Sequence, residues 1–379
     1  MASLQLRLIE ATIRAGRPAR AWGARLDLVR SSGLRYGLHR RRERHEEAEF
    51  GRHVVDAFYR EVWDDAADRL GARVTDLGSG FLEIAADGVS TRVWRQLTAV
   101  DEAVSLRLAL DKARVHKLLV ARGVTVPEHR EIDCRDAAAG LDFIAAVGGD
   151  CFLKPSVGTS GGAGVTGRVR DERSLARARL SAGRFDTRLL IERQVPGDMY
   201  RLMFLDGRLV DTVRRRVPTV TGDGRSSVLD LILAENRRRL SAERPRSLMT
   251  VDLDSILSLE AQGLSVSSVP GAGETVAVKS TSSDNGERDN HTIRDVSPAV
   301  IEESARAVGA VGLRLAGIDL VTPDITRGLR EAGGAIIEVN GTPGFQYHYE
   351  VEDRASATPV AVPVLETLLE EARRPAPAN

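Results

Sequence analysis

Cys151-Phe152-Leu153-Lys154-Pro155-Ser156-Val157-Gly158-Thr159-Ser160-Gly161-Gly162-Ala163-Gly164 sets a strand-like apolar run carrying one lysine directly against a glycine-rich loop. Lysine is scarce here. Of the 54 Lys and Arg residues only Lys112, Lys117, Lys154 and Lys279 are lysine. An ammonium is a compact point charge that suits a phosphate in a tight pocket, where a planar guanidinium does not substitute for it. Unpaired beside an apolar run it would be costly, and an anion removes that cost. Glycine lets backbone N–H groups approach phosphate without side-chain clash. The stretch therefore predicts a nucleotide site. The loop is not a P-loop, since no Gly-x-x-x-x-Gly-Lys-Ser/Thr occurs, and it leads into no evident helix, as a dinucleotide fingerprint would.

Two later runs supply the other half of such a site. Gly317-Ile318-Asp319-Leu320-Val321 and Ile336-Ile337-Glu338-Val339-Asn340 each bury an acid in an apolar stretch. Acids at strand edges facing water are the plain alternative, but unpaired charge inside such runs is expensive. Glu338 and Asn340, two apart on a strand, point to one face and can converge with Asp319 from a neighbouring strand. Mg²⁺ or Mn²⁺ takes one or two carboxylates together with phosphate oxygens. Asp319, Glu338 and Asn340 are thus the expected metal ligands, and Lys112, Lys154 and Lys279 the expected cations for a triphosphate. Lys117 reads equally well as a surface charge.

With 379 residues, 42% apolar and 28% charged at a formal net charge of +0, the chain has room for two or three domains, and its totals predict neither disorder nor general polyanion binding. Residues 1–45 depart from the average, with eleven Arg against Glu10, Asp27 and Glu43. RNA, a membrane surface or plain solvent would suit that segment. Leu4, Leu8, Ile9 and Ile13 recur at helical spacing, which favours an amphipathic helix with an Arg-rich polar face. No aromatic stacking pattern supports nucleic acid, which is not expected as a partner. No apolar run approaches the roughly 18 residues of a membrane span, and the start lacks the form of a signal peptide, so a cytoplasmic protein is expected. Cys134, Cys151 and the seven histidines form no metal-ligand spacing.

Periodicity and turn chemistry predict a mixed α/β chain. Helix comes first, with a breaker at Gly71, then short strands at 73–77 and 81–85 and a turn at Asp87-Gly88. One helix is expected over 98–122 with Lys112 in its interior, and a second over 136–147. Strands follow at 151–154 and 189–192, and a hairpin over 200–205 and 209–217 closes on Asp206-Gly207. A helix is expected over 228–238. Residues 239–268 are polar and resist assignment. A strand over 275–278 leads into Lys279 and a polar loop at 280–290. Ser297-Pro298 opens a helix to about 311, and strands cover 315–321 and 335–339.

Taken in order, several stretches resemble one family. They are Asp111-Lys112, Leu153-Lys154-Pro155 with its loop, Ile191-Glu192-Arg193-Gln194-Val195-Pro196-Gly197-Asp198, Tyr200-Arg201, Thr221-Gly222-Asp223-Gly224-Arg225, Gly317-Ile318-Asp319-Leu320, and Glu338-Val339-Asn340 with Pro343-Gly344. They resemble the ATP-grasp ligases, and among them the ATP-grasp half of the cyanophycin synthetases, over roughly residues 107–349.

The resemblance implies an ATP-grasp fold, an α/β (α+β) architecture of two lobes gripping ATP. It divides the chain into a small N-terminal α/β domain at 1–97, a first nucleotide lobe at 98–188, a C-terminal lobe with the metal site at 189–372 and a disordered tail at 373–379. It implies that Lys112, Lys154, Ser160, Gly161 and Gly162 hold phosphates, that Glu192, Arg193 and Val195 line the adenine and that Asp198 meets the ribose. Asp319, Glu338 and Asn340 would hold Mg²⁺. Arg201, with Arg215 or Arg216 on the next strand, and Lys279 would neutralise the γ-phosphoryl group or a substrate carboxylate. The implied reaction joins a carboxylate to an amine through an acylphosphate, releasing ADP and phosphate, with an amino acid or peptide as substrate. A nucleotide-binding protein without turnover is the alternative, and a homo-oligomer fits either.

The chain departs from the family pattern in three places. It ends where a Mur-ligase-like half would continue, so polymer synthesis by this chain alone is not expected. Ser282-Ser283-Asp284-Asn285-Gly286-Glu287 stands where the family has Asn-x-Ser-x-Gly-Gly, so a changed acceptor pocket is expected. Val217 replaces a usual proline, leaving the register of Arg215 and Arg216 open.

Overall fold

A computed structural model describes residues 2–157, 161–240 and 248–374. Helices α1 (Ala2–Arg14) and α2 (Arg17–Arg69) come first, separated at Gly16, and α2 is kinked at Gly33, where φ is 83°. Strands β1 (Arg73–Gly78), β2 (Phe81–Ala86) and β3 (Val89–Trp94) form an antiparallel sheet. Asp87 and Gly88 both take positive φ, as a tight hairpin turn requires.

The single helix expected over 98–122 is two, α3 (Ala103–Ala109) and α4 (Lys112–Ala121). Asp111 breaks it by adopting extended backbone and accepting from Arg114 N–H as the N-cap of α4. The Lys112 N–H bonds instead to the carbonyl of Ser156, beside the glycine loop. Lys112 is therefore the first residue of a helix, not an interior one.

Strand β4 (His129–Asp133), α5 (Ala137–Val147), β5 (Cys151–Pro155), β6 (Thr166–Val169), α6 (Glu172–Ala182) and β7 (Arg188–Arg193) build a four-stranded sheet in the order β4-β7-β5-β6. Asp136 caps α5 and Gly148 ends it in the left-handed conformation. Leu153, Leu189 and Ile191 are fully buried beneath α5 and α6, and Ile9 and Ile13 of α1 join the same core. The division expected between 188 and 189 falls inside β7, which pairs with both β4 and β5.

Strands β8 (Asp198–Leu205) and β9 (Arg208–Arg215) form the expected hairpin, with Asp206 and Gly207 at positive φ. β9 stops at Arg215, so Arg216 lies beyond the strand; it is exposed, and its N–H is bonded to the Asp289 carbonyl. Next come β10 (Thr219–Thr221), α7 (Val228–Leu240), α8 (Leu253–Ala261), β11 (Thr275–Ala277) and β12 (Asn290–Thr292). Helix α8 emerges from the unassigned stretch, begun by a reciprocal cap between Asp252 and Ser255. The remaining elements are α9 (Pro298–Val311), β13 (Leu315–Thr322), α10 (Leu329–Ala332), β14 (Ala335–Gly341), α11 (Gln346–Tyr349) and α12 (Ala361–Arg373). Pro298 begins α9 as expected, although the Ser297 side chain makes no capping bond.

The second large sheet runs β12-β9-β8-β13-β14. β13 is an interior strand of it, flanked by β8 and β14 and buried at nearly every residue, which explains the apolar run around Asp319. Its core includes Met203, Leu315, Phe345 and Leu365 together with Trp63 of α2 and Ile84 of β2. Among the described residues the N-terminal segment shares its cores with the rest of the chain: α1 joins that of the four-stranded sheet, and the end of α2 and β2 join that of the five-stranded sheet. Of the tail expected to be disordered, 375–379 lies outside the described residues. Among the described residues no helix is long and apolar enough to cross a membrane.

Candidate nucleotide and metal site

Three charged residues face one another across the large sheet. Arg201 of β8 pairs in register with Asp319 of β13, which pairs in register with Glu338 of β14. Directly opposed residues share a face. Arg201 grips Asp319 with both arms, Nε to Oδ1 at 2.5 Å and an Nη to Oδ2 at 2.8 Å. Asn340 donates from Nδ2 to Asp319 Oδ2 at 3.2 Å and to the Gly317 carbonyl at 3.3 Å. The expected metal trio is thus gathered on adjacent strands, as the i and i+2 spacing implied.

Helix α4 and the four-stranded sheet each meet this row through a lysine. Lys112 Nζ lies 3.0 Å from Glu338 Oε1. Lys154 Nζ lies 2.7 Å from Glu192 Oε2 on β7 and donates to the Ile337 carbonyl at 3.2 Å, bridging β5 to β14. Burial raises Glu192 above the usual carboxylate range against the pull of Lys154. Burial acts on Glu338 in the same direction, but Lys112, Lys154 and Arg201 outweigh it and hold that carboxyl below its usual range. His116, whose Nδ1 is 3.2 Å from Glu192 Oε1, stacks on His129. Burial, reinforced by Lys154, His129 and Lys112, holds His116 well below its ordinary value and so neutral.

Arg215 sits beside the row. It is buried, donates to the Ser282 carbonyl at 3.2 Å and places its guanidinium carbon 3.7 Å from the centre of the Tyr347 ring. Arg201 approaches the same ring at 5.2 Å. Both distances lie within cation–π range. Tyr347 was not singled out from sequence; an aromatic closely following Pro343-Gly344 was the available signal.

The glycine loop is reached from the 280–290 loop. Gly162 has φ of 77°, which favours glycine, and a Cβ there would stand 2.1 Å from Ser283 Oγ, so a side chain would require Ser283 to turn away. Asp254 fastens the same segment, accepting from the N–H groups of Gly167, Ser280 and Thr281 at 2.9, 3.0 and 3.2 Å. Gly161 also has positive φ. Ser160 lies outside the described residues.

Other expected residues have partners of their own. Lys279 is buried among Asp252 (2.8 Å), Asp284 (2.7 Å) and Thr250 (3.0 Å). Those carboxylates outweigh burial and raise its ammonium above the ordinary lysine value. Arg193 pairs with Glu128 at 3.1 Å, Val195 is half-buried, and Asp198 is exposed with Arg214 3.6 Å away. Arg216 does not join Arg201 and Arg215.

No family model matches the chain. The cyanophycin synthetase of Trichormus variabilis is 31% identical over 327 residues, 81% of this chain and 36% of that protein. That of Synechocystis is 32% identical over 285 residues, 73% of this chain and 32% of that protein. The bifunctional glutathione biosynthesis protein GshAB of Enterococcus faecalis is 31% identical over 262 residues, 66% of this chain and 34% of that protein. The chain thus spans about a third of the length of the curated relatives it matches. Among solved structures, a bifunctional glutathione synthetase from Pasteurella multocida superposes with a TM-score of 0.50 at 22% identity, covering 79% of this chain and 42% of that one.

Proposed function

The chain belongs to the ATP-grasp superfamily, with similarity to the cyanophycin synthetases, and from that premise we propose that it is an ATP-dependent carboxylate–amine ligase. It joins an amino acid or peptide carboxylate to an amine and releases ADP and phosphate. The observation that carries this reading is the seam where Lys112 meets Glu338 and Lys154 meets the Ile337 carbonyl, with the Arg201–Asp319 pair next to Glu338 in the row.

The oxygen donors of Asp319, Glu338 and Asn340 suit a hard divalent cation. Among the described residues no group of three or more His, Cys, Asp and Glu assembles, so two carboxylates and an amide would share the ion with phosphate oxygens. When bound, Mg²⁺ or Mn²⁺ neutralises phosphate charge. Lys112 and Lys154 supply positive charge to the phosphates, and the backbone N–H groups of Gly161 and Gly162 cradle them. Glu192 fixes the position of Lys154, while Arg193, Val195 and Asp198 lie toward the nucleoside end.

Arg201 and Arg215 hold the substrate carboxylate against the γ-phosphoryl group and stabilise the charge that develops on transfer. No protein nucleophile is needed, because the carboxylate itself attacks phosphorus. The reaction belongs in the cytoplasm, where ATP is supplied. Incubating the protein with ATP, Mg²⁺ and pools of amino acids and dipeptides tests the reading: ADP and phosphate are expected, and release of AMP and pyrophosphate instead would refute it.

A further inference from the structure

Helix α11 carries a buried imidazole that the ligase reading leaves without work. His348 follows Tyr347 and is fully buried. Its Nδ1 lies 2.6 Å from Asp211 Oδ2 on β9. That carboxylate also accepts from Thr358 Oγ1 at 2.7 Å and from Arg294 at 3.1 Å, so its place is fixed on three sides. A carboxylate at Nδ1 keeps the proton on that nitrogen and leaves a lone pair on Nε2. Nε2 is buried and has no hydrogen-bond partner among the described residues. A buried acceptor left unpaired is costly, and a catalytic task is one of the reasons a native protein keeps one.

Asp211 lies two residues along β9 from Val213, the register partner of Arg201, so the carboxylate that holds His348 is on the face of the sheet that carries Arg201 and Asp319. Tyr347, the preceding residue, lies against Arg215 and Arg201, the two groups assigned to the substrate carboxylate and phosphoryl oxygens. Besides burial, those guanidiniums weigh against protonation of His348, while Asp211 favours it. Arg294, which donates to Asp211, adds a further charge beside that carboxylate.

We propose that His348 is the general base of the second half-reaction, taking a proton from the acceptor amine through Nε2, and that Asp211 is its positioning residue. An ammonium has no lone pair. It passes one proton to Nε2, directly or through one water. The freed pair forms the C–N bond as the C–O bond of the acylphosphate breaks and phosphate leaves. The second amine proton goes to the departing phosphate or to solvent, and the imidazolium, stabilised by Asp211, returns its proton to solvent.

The inference rests on the ligase reading, and hydroxylamine separates the two. Hydroxylamine is uncharged at neutral pH and attacks an acylphosphate without a base, giving a hydroxamate. His348→Asn keeps a donor for Asp211 and deletes Nε2. Once the amino-acid and dipeptide pools have identified an acceptor, this variant should form hydroxamate and ADP within about threefold of the wild-type rate while amide formation falls about a hundredfold. Amide formation within threefold of wild type overturns the proposal, as does equal loss of both products.

The wild-type protein gives a second measurement that does not depend on a variant folding. Its amide-forming rate should be flat from neutral pH upward. A continued rise of about tenfold per pH unit, the slope of free-amine supply alone, overturns the proposal. Wild-type protein that releases no ADP with any pool would overturn the ligase reading instead.

Discussion

Lys154 Nζ donates to the carbonyl oxygen of Ile337 at 3.2 Å, so the strand before the glycine loop is tied to the residue before Glu338. A single side chain couples β5, the strand proposed to serve the phosphates, to β14, the strand proposed to serve the metal. Replacing Lys154 by Met removes that tie and leaves Glu192 buried without its ammonium. We expect kcat/KM for ATP to fall about a hundredfold to a thousandfold, the range for deleting one donor to a charge that develops in the transition state. Lys117→Met, at an exposed position, should leave ADP release unchanged. Steady-state ADP assays on both proteins make the comparison.

Asp319 and Arg201 form a buried two-armed pair, and halving such a pair strands a charge in the interior. Asp319→Asn should destabilise the protein by about 3 kcal/mol. Arg201→Met in the same background removes the stranded charge and should restore much of that stability without restoring turnover. Urea unfolding of wild type and of the single and double variants gives the coupling. A double variant no more stable than Asp319→Asn alone would mean that the pair is not what the single change disrupts.

Sequence carried the parts of this site in which chemistry is written locally. A lysine before a glycine loop, acids inside apolar strands and Asp-Gly hairpins each announce themselves within a few residues. What escaped depended on distant partners. The helix expected through 98–122 breaks because Lys112 N–H has the Ser156 carbonyl to bond, a contact across 44 residues. Lys279 is paired with Asp252, 27 residues before it, which its local sequence does not announce. Asp211 and His348 are 137 residues apart, and no spacing rule joins an acid in the middle of one strand to a histidine after another. Helix α8 was hidden because its cap lies in a polar stretch whose periodicity is short.

Gly162 has φ of 77°, and a Cβ added there would stand 2.1 Å from Ser283 Oγ. Gly162→Ala should push the 280–290 loop away from the glycine loop and raise the KM for ATP about tenfold, beyond the roughly 1 kcal/mol that a left-handed alanine costs in stability. Adding Ser283→Ala relieves the clash but not the backbone preference, so it should recover only part of the loss. Equal KM values in wild type and the Gly162 variant would place this loop contact outside the binding event.

Asp111 caps α4 immediately before Lys112 and receives two bonds from Arg188, at 3.1 and 3.2 Å. Burial alone would raise its carboxyl, but the Arg188 and Arg114 bonds prevail and hold it below the usual range. A carboxyl whose folded pKa is lowered adds stability that is fully present above its unfolded value, near pH 4, and is lost as pH falls through the folded value. Asp111→Asn keeps an acceptor for the cap but discards the charge. Its urea midpoint should therefore lie below that of wild type at pH 7, and the gap should close as pH drops below about 4. Since the cap orients the first turn that carries Lys112, the same variant should raise KM for ATP while leaving kcat nearly unchanged. A gap that persists undiminished at pH 3 would mean that packing, rather than ionised Asp111, supplies the difference.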